Sequence, residues 1–391
     1  MSLPLQDTLI ISIEQAIAAP YCSRLLADLG ARVIKVERPD GGDFARGYDT
    51  RARGLSSHFV WTNRSKESLA LDLKDEAAIT VLKTLLAKAD VFIQNLAPGA
   101  AARLGLGHEQ LAKAFPQLIT CSISGYGTGG PDSQRKAYDL LIQAEAGLLS
   151  VTGSAEQPAK CGISIADISA GTTACNAILA ALINRGKTGS GDHIEVSMLE
   201  AMAEWMGFPM YFASDGAEPP TRAGAGHATI FPYGPYNTAD GTIMLGLQND
   251  REWKAFCCEV LQNQLLAEDT KFHGNDARYQ QRDEINSMID QVLKKLPNTE
   301  AITRLEKAGI GTASVNSMAG LWNHRQLKAR ERWQQIQTPT GPQAALKPVS
   351  GNAWQPQMAP VPALGEHTQS ILKELNIADH TIAQLSKTKA T

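Results

Sequence analysis

TLIISIEQAIAAPYCSRLLADLGARVIKVE, residues 8–37, reads as strand, helix and strand. TLIISI (8–13) is a short β-branched run. YCSRLLADL then carries helical periodicity and stops at Gly30, and ARVIKVE (31–37) is the second strand. Two such strands with a helix between them imply a parallel pair joined by a right-handed crossover. The alternation continues downstream. EAAITVLKTLLAKA (76–89) places Ile79, Leu82 and Leu86 on one helical face, VFIQ (91–94) is a strand, and a short helix at 108–115 leads into LITCSISG (118–125). A helix begins near Tyr138, and another runs from about Ser169 to Ile183, ending in GKTGSG before the strand HIEVSM. The first two hundred residues therefore predict a Rossmann-like α/β core.

Pro, Gly and small residues concentrate in PPTRAGAGHATIFPYG (219–234), which marks a linker or mobile loop. A smaller α/β region follows, with the strand TIMLGLQ and helices in REWKAFCCEVL, RDEINSMIDQVLKKL and TEAITRLEKA. From about Trp333 the pattern is weak until SILKELN, which suggests an extended strap with a closing helix. The expected division is a large domain at 1–218, a linker and small α/β domain at 219–330, and a returning strap at 331–391.

The chain has 391 residues, 43% of them hydrophobic, enough to bury a sizeable core. Lys and Arg number 37 against 40 Asp and Glu, a net charge of -3, so nothing points to nucleic acid. MSLPLQDTLIISIEQ lacks the features of a secretion signal, and no later apolar run reads as long enough to span a bilayer, so no membrane partner and a cytoplasmic location are expected. Six cysteines show no metal-ligand spacing; reduced thiols and no metal are expected.

Asp167, in GISIADISAGTTAC, stands just ahead of the Ser169–Ile183 helix. An aspartate there ordinarily caps free backbone N–H groups. The same position suits a nucleophile, because the helix end favours an ionised carboxylate and the Ser/Ala/Gly residues leave room for a bulky thioester. In SGYGTGGPD, Gly125, Gly127 and Gly130 formally satisfy GxGxxG, but Pro131 and DSQRK intervene before any helix, so a wide substrate-facing loop is expected. Tyr138 and Asp139 start a helix behind Arg135 and Lys136. Arg38, Arg46 and Arg103 sit at strand or loop ends, where such folds bind nucleotides. His58 and His227 could serve as bases, but neither belongs to a Ser/His/Asp triad or an HExxH motif.

The strings APYCSRLLADLGARVIKVERPDGGDFARG, NRSKESLALDLK, ADVFIQNLAPGAAARLGLG, ISGYGTGGP, AYDLLIQAEAGLLSVTG and ILAALINRGKTGSGDHIEVSMLEA resemble, in order, the class III CoA-transferases, the formyl-CoA and carnitine CoA-transferase group. The resemblance covers nearly the whole chain, most densely 18–200. It implies a Rossmann-like large domain, a small domain and an interlocked homodimer. The family's nucleophile falls on Asp167, and its supporting acidic residue on Asp139. CoA contacts carry over to Ala16, Arg38, Leu71, Asn95, Leu96, Arg103, Lys136 and Tyr138. Tyr48, next to Arg46, matches the acyl-pocket aromatic. The mobile glycine loop corresponds to AGAGHAT, with Gly226 and His227 on the substrate side, although it has fewer glycines than the family pattern. Ile17 replaces a glutamine of the formyl-CoA branch, which argues against formate or oxalate.

AEWMGFPMYF, GHATIFPYGPYNTADG and GLQNDREW are similar to the branch acting on mesaconyl-, itaconyl- and succinyl-CoA. The resemblance therefore implies transfer of CoA between small carboxylates, with acyl-CoA and a free acid as partners and no tightly bound cofactor. Arg46, Arg51, Arg53, Arg222 and His227 could meet the second carboxylate of a C4 or C5 diacid. Three alternatives share these residues: an α-methylacyl-CoA racemase, an intramolecular C1–C4 transfer within mesaconyl-CoA, and a silent acyl-CoA-binding protein. The racemase pattern has a histidine directly before the aspartate of the helix start, where this chain has Tyr138, whose ordinary pKa of about 10 suits it poorly as a base.

Overall fold

The computed structural model describes residues 2–387, a mixed α/β chain with two compact units. One unit takes the segments up to Ala146, Cys161–Gly207 and the chain from Gln326; the other takes Gly147–Lys160 and Phe208–Arg325. The early visit at Gly147–Lys160 has no marker in the sequence pattern.

The first unit is built on β1 (Leu9–Ile13), β2 (Arg32–Glu37), β3 (Lys66–Ala70), β4 (Val91–Gln94), β5 (Ile119–Ser124) and β6 (His193–Ser197). They form one sheet in the order β3-β2-β1-β4-β5-β6, parallel at every pairing. Parallel strands are covered on both faces, which is why LIISI and RVIKVE read as nearly continuous apolar runs. One face packs Ile11, Ile34, Leu69 and Phe92 against Leu82 and Leu86 of the helix Glu76–Leu86. On the other side, the helix Ala18–Asp28 crosses the helix Ile165–Thr188. Their approach requires glycine, since a Cβ on Gly171 would lie 2.6 Å from the Ala18 carbonyl oxygen.

β3 was not expected as a strand. Its sequence KESLA opens with two charges, yet Lys66 is buried because its ammonium finds acceptors inside. The helix Ile165–Thr188 starts four residues earlier than expected and runs through Gly186 to a left-handed Gly189. It also corrects the expectation about apolar runs. It is 24 residues long and contains an 18-residue stretch with a mean hydropathy of 1.4, the length and composition of a bilayer-crossing segment, although 44% of that stretch is buried in the fold.

Ser68 and Ala70, on the β3 border, donate their backbone N–H groups to His367 Nδ1 and Thr368 Oγ1 at 3.2 and 2.9 Å. Ile371 and Leu372 of the following helix, Thr368–Glu374, enter the core beside them. The border of the sheet is thereby covered.

The second unit has a three-stranded antiparallel sheet, β7 (Tyr233–Asn237), β8 (Thr242–Gly246) and β9 (Gly311–Ser314), with β8 central. Its helices bury Trp253, Phe256, Ile285, Ile289 and Leu305 against the sheet.

Candidate active site

Winding reverses direction between β1 and β4, so the loops after both strands open on one crevice, where α/β sheets of this order bind ligands. The two loops are stitched together. Gln15 donates its N–H to Asn95 Oδ1, and Asn95 Nδ2 donates back to the Gln15 carbonyl, both at 2.9 Å. Ala16 takes a left-handed φ of 62°, and its N–H is held by Asp43 Oδ1 at 2.9 Å. A cavity of about 230 Å³ lies at the strand ends, lined among others by Arg38, Leu71, Asp72, Lys74, Leu96 and Leu104. Of the expected CoA contacts, Arg38, Leu71 and Leu96 share this cavity, with Ala16 and Asn95 in its flanking loops. Arg103, Lys136 and Tyr138 are exposed and outside its lining. The Arg38 guanidinium donates to the Gly42 carbonyl at 3.1 Å and stacks on Phe44.

Below the crevice lies a charge network that the sequence reading missed. Lys35, Glu14, Asp43 and Lys66 have no exposed side-chain surface. Lys35 Nζ bonds Asp43 Oδ2 at 2.7 Å, and Lys66 Nζ bonds Glu14 Oε1, the Pro20 carbonyl and Asn63 Oδ1 at 2.7, 2.9 and 3.0 Å. Burial opposes the charges of Glu14, Lys35 and Lys66. For Glu14 the two lysines outweigh it and hold the carboxyl below its usual range; for Lys66 burial wins, and the amine is pushed down to about 8. The signal available in sequence was the lysine inside the apolar strand VIKVE. Such charges persist in a core only when each is paired.

Asp167 is the third residue of the helix Ile165–Thr188, inside it rather than ahead of it. Capping is done by another residue. Asp139 Oδ1 accepts from the N–H of Ala166 at 2.9 Å and from that of Asp167 at 3.5 Å. Asp139 Oδ2 is held in turn by Gln143 Nε2 at 2.7 Å. Gln143 is fully buried and accepts the Cys161 N–H at 2.9 Å, which fixes the segment entering the helix. Its only mark in sequence is a polar residue one helical turn after Asp139. Among the described residues no group donates to the Asp167 carboxylate. Burial, then the negative charge of Asp139, pushes its pKa up to about 7. The expectation that Ser169, Ala170 and Gly171 leave room for a ligand does not hold: they are buried in helix packing, Ser169 Oγ donating to the Ala201 carbonyl at 2.6 Å.

Asp43 caps the short turn Phe44–Gly47 that carries Arg46 and leads to Tyr48. The Arg46 guanidinium is committed to Glu37, at 2.8 and 2.7 Å, over the Phe59 ring. Burial would raise Glu37, but Arg46 and Lys35 hold it down at about 2. The Tyr48 phenol is raised by burial and then by the charges of Asp43, Asp167 and Tyr138. His58 lies edge-on to Tyr48, with ring centroids 5.5 Å apart. After β5, Gly127, Gly129 and Gly130 all have positive φ and no helix opens among them. Gly125 must be glycine, because a Cβ there would collide with Ala137 at 2.0 Å.

Gly226 and His227 belong to the second unit. His227 Nδ1 accepts the N–H groups of Thr229 and Ile230 at 3.2 and 3.0 Å, and its ring stacks on Tyr233. Gly224 N–H donates to the Gly153 carbonyl at 2.7 Å, and Arg222 donates to the carbonyls of Ser154 and Ala155 at 2.9 Å each. The loop is tied at three points.

A switch-point crevice and, in the same unit, a half-buried carboxylate that caps nothing describe an enzyme of the parallel α/β class, working on ligands at the strand ends. The model of CoA-transferase family III matches residues 5–368, and the chain belongs to that family. It is 32% identical over 382 residues to the succinyl-CoA:glutarate CoA-transferase of Mus musculus, covering 95% of this chain and 86% of that protein. To the succinyl-CoA:mesaconate CoA-transferase of Haloarcula hispanica it is 30% identical over 391 residues, covering 96% and 98%. A CAIB/BAIF family protein from Brucella suis has a similar solved structure, with TM-score 0.85, 31% identity, and coverage of 96% of this chain and all of that one. The protein is thus a CoA-transferase.

Proposed function

We propose that the enzyme moves CoA from succinyl-CoA to a C4 or C5 dicarboxylate such as itaconate, mesaconate or glutarate, through a thioester on Asp167. The observation that carries this reading is the division of labour between two aspartates: Asp139 satisfies the helix end and leaves the Asp167 carboxylate unengaged. The succinyl-CoA enzymes among its relatives support the substrate class.

In the proposed cycle the Asp167 carboxylate attacks the thioester carbonyl of succinyl-CoA, expelling CoA thiolate and forming a mixed succinyl-aspartyl anhydride. The thiolate attacks the aspartyl carbonyl of that anhydride, which releases succinate and leaves aspartyl-CoA. The acceptor carboxylate then attacks this thioester, giving a second anhydride and thiolate. Thiolate attack on the acceptor acyl carbon yields the new acyl-CoA and regenerates the carboxylate. One thioester is exchanged for another, so no nucleotide hydrolysis is needed. Backbone N–H groups of the glycine-rich loops would stabilise the oxyanions.

In the same reading, Arg38, Leu71, Leu96 and the Ala16 and Asn95 loops cradle CoA, Arg103, Lys136 and Tyr138 reach its outer parts, and Tyr48 bounds the acyl group. The unit that takes the segments up to Ala146, Cys161–Gly207 and the chain from Gln326 is the CoA-binding domain, and Gly147–Lys160 with Phe208–Arg325 is the small domain. The enzyme works in the cytoplasm as an interlocked homodimer, a state supported by the exposed apolar side chains of Leu140, Leu141, Ile183 and Trp205. The test is a panel of succinyl-CoA with itaconate, mesaconate, glutarate, malate and oxalate, with mass spectrometry of the protein for a CoA adduct. Exchange without any adduct trapped at Asp167 rejects the covalent route; α-carbon epimerisation without exchange selects the racemase.

A further inference from the structure

We propose that His58, oriented by Asp49, is the cation that receives the distal carboxylate of a dicarboxylate substrate, an assignment resting on the dicarboxylate reading above. The Asp49 carboxylate gathers four donors: the N–H of Arg51 at 2.8 Å, the N–H and Oγ of Ser57 at 3.0 and 2.8 Å, and His58 Nδ1 at 3.2 Å. This donor set fixes one face of the imidazole and keeps its counter-charge ionised. Nε2 of His58 has no partner among the described residues, and the ring is half-exposed. It lies edge-on against Tyr48, the aromatic that the proposed function sets against the acyl group.

The other cations considered for this role are mostly engaged. Arg46 is spent on Glu37, and Arg53 donates to the Pro342 carbonyl at 3.1 Å. Arg222 donates to two carbonyls of its own unit, and His227 Nδ1 accepts two backbone N–H groups there. Arg51 remains, exposed and with a free guanidinium among the described residues, and it serves as the comparison in the test. As an imidazolium, His58 gives Nδ1–H to Asp49 and Nε2–H to a carboxylate oxygen, a charge-assisted hydrogen bond on each side.

The experiment compares succinyl-CoA with butyryl-CoA, which has a methyl where succinyl has its second carboxylate. With a common acceptor, kcat/KM for the donor reports only the first half of a ping-pong reaction. His58→Phe should lower the succinyl-to-butyryl ratio about 10- to 100-fold, the range of one hydrogen bond to a charged group. Asp49→Asn should lower it in the same direction, His58→Arg should retain more of it than His58→Phe, and Arg51→Ala should hold it near wild type. A wild-type enzyme with no preference for succinyl-CoA overturns the dicarboxylate reading and this assignment together. A preference that survives His58→Phe, or falls only in Arg51→Ala, overturns the assignment alone.

Discussion

The carboxylate of Asp139 lies 2.9 Å from the N–H of Ala166 and 3.5 Å from that of Asp167, so one aspartate caps the helix that carries the other. The side chain of Asp167 contributes nothing to that cap. Replacing it by Ala or Asn should therefore leave a folded enzyme while transfer falls by on the order of 10⁴ or more, the scale of a lost nucleophile. Circular dichroism and an exchange assay on the same preparation check this.

The pKa of Asp167, up to about 7, fixes the sign of the pH response. Attack needs the carboxylate, so kcat/KM should climb as pH rises through that value. Stability should move the other way. A carboxyl raised in the folded state contributes stability that is fully present below its unfolded value, near 3.9, and is lost as pH rises through about 7. Thermal melts of wild type and Asp167→Asn between pH 4 and 8 should diverge in favour of the variant as pH increases.

Asp139 has two separable effects. Asp139→Asn keeps an oxygen for the Ala166 N–H and removes the charge, which should shift the acid limb of kcat/KM to lower pH, while its amide N–H groups facing Gln143 Nε2 should cost about 1–3 kcal/mol of stability. Asp139→Ala removes the cap as well, at a cost of about 1 kcal/mol. Denaturant titrations and pH-rate profiles distinguish the two.

Gln143→Leu should leave the Cys161 N–H and one Asp139 oxygen without their partner, destabilising the fold by about 1–3 kcal/mol. Urea unfolding measures it. Retained stability would mean that water replaces the amide.

Lys35→Met strands Asp43, whose other oxygen holds Ala16, while Glu14 keeps Lys66. Removing one partner of a buried ionic cluster costs about 3–5 kcal/mol. Because the Ala16 turn borders the crevice, KM for acyl-CoA should rise more than kcat falls, as steady-state kinetics would show.

Much of this was legible in the sequence. Hydrophobic periodicity marked β1, β2, β4, β5 and β6, and the helix stop at Gly30 holds, with φ of 103° there. β3 escaped because Lys66 and Glu67 break the apolar pattern, and pairing with Glu14, fifty-two residues earlier, is invisible to a local window. The cap on the Asp167 helix escaped for the same reason, since Asp139 reaches it across twenty-seven residues. Residue type told that a carboxylate stood at a helix start. Tertiary geometry adds which of the two carboxylates takes the helix N–H groups and which is left without a donor among the described residues.

The covered border of β3 bears on how the polypeptide is made. Ser68 and Ala70 wait for His367 and Thr368, partners nearly three hundred positions later in translation. Until that late stretch leaves the ribosome, the nascent first unit carries an open strand ready to pair with a neighbour. Biogenesis should therefore depend on chaperones during that interval, and ribosome-bound chains stalled before residue 367 should be the ones that chaperones retain.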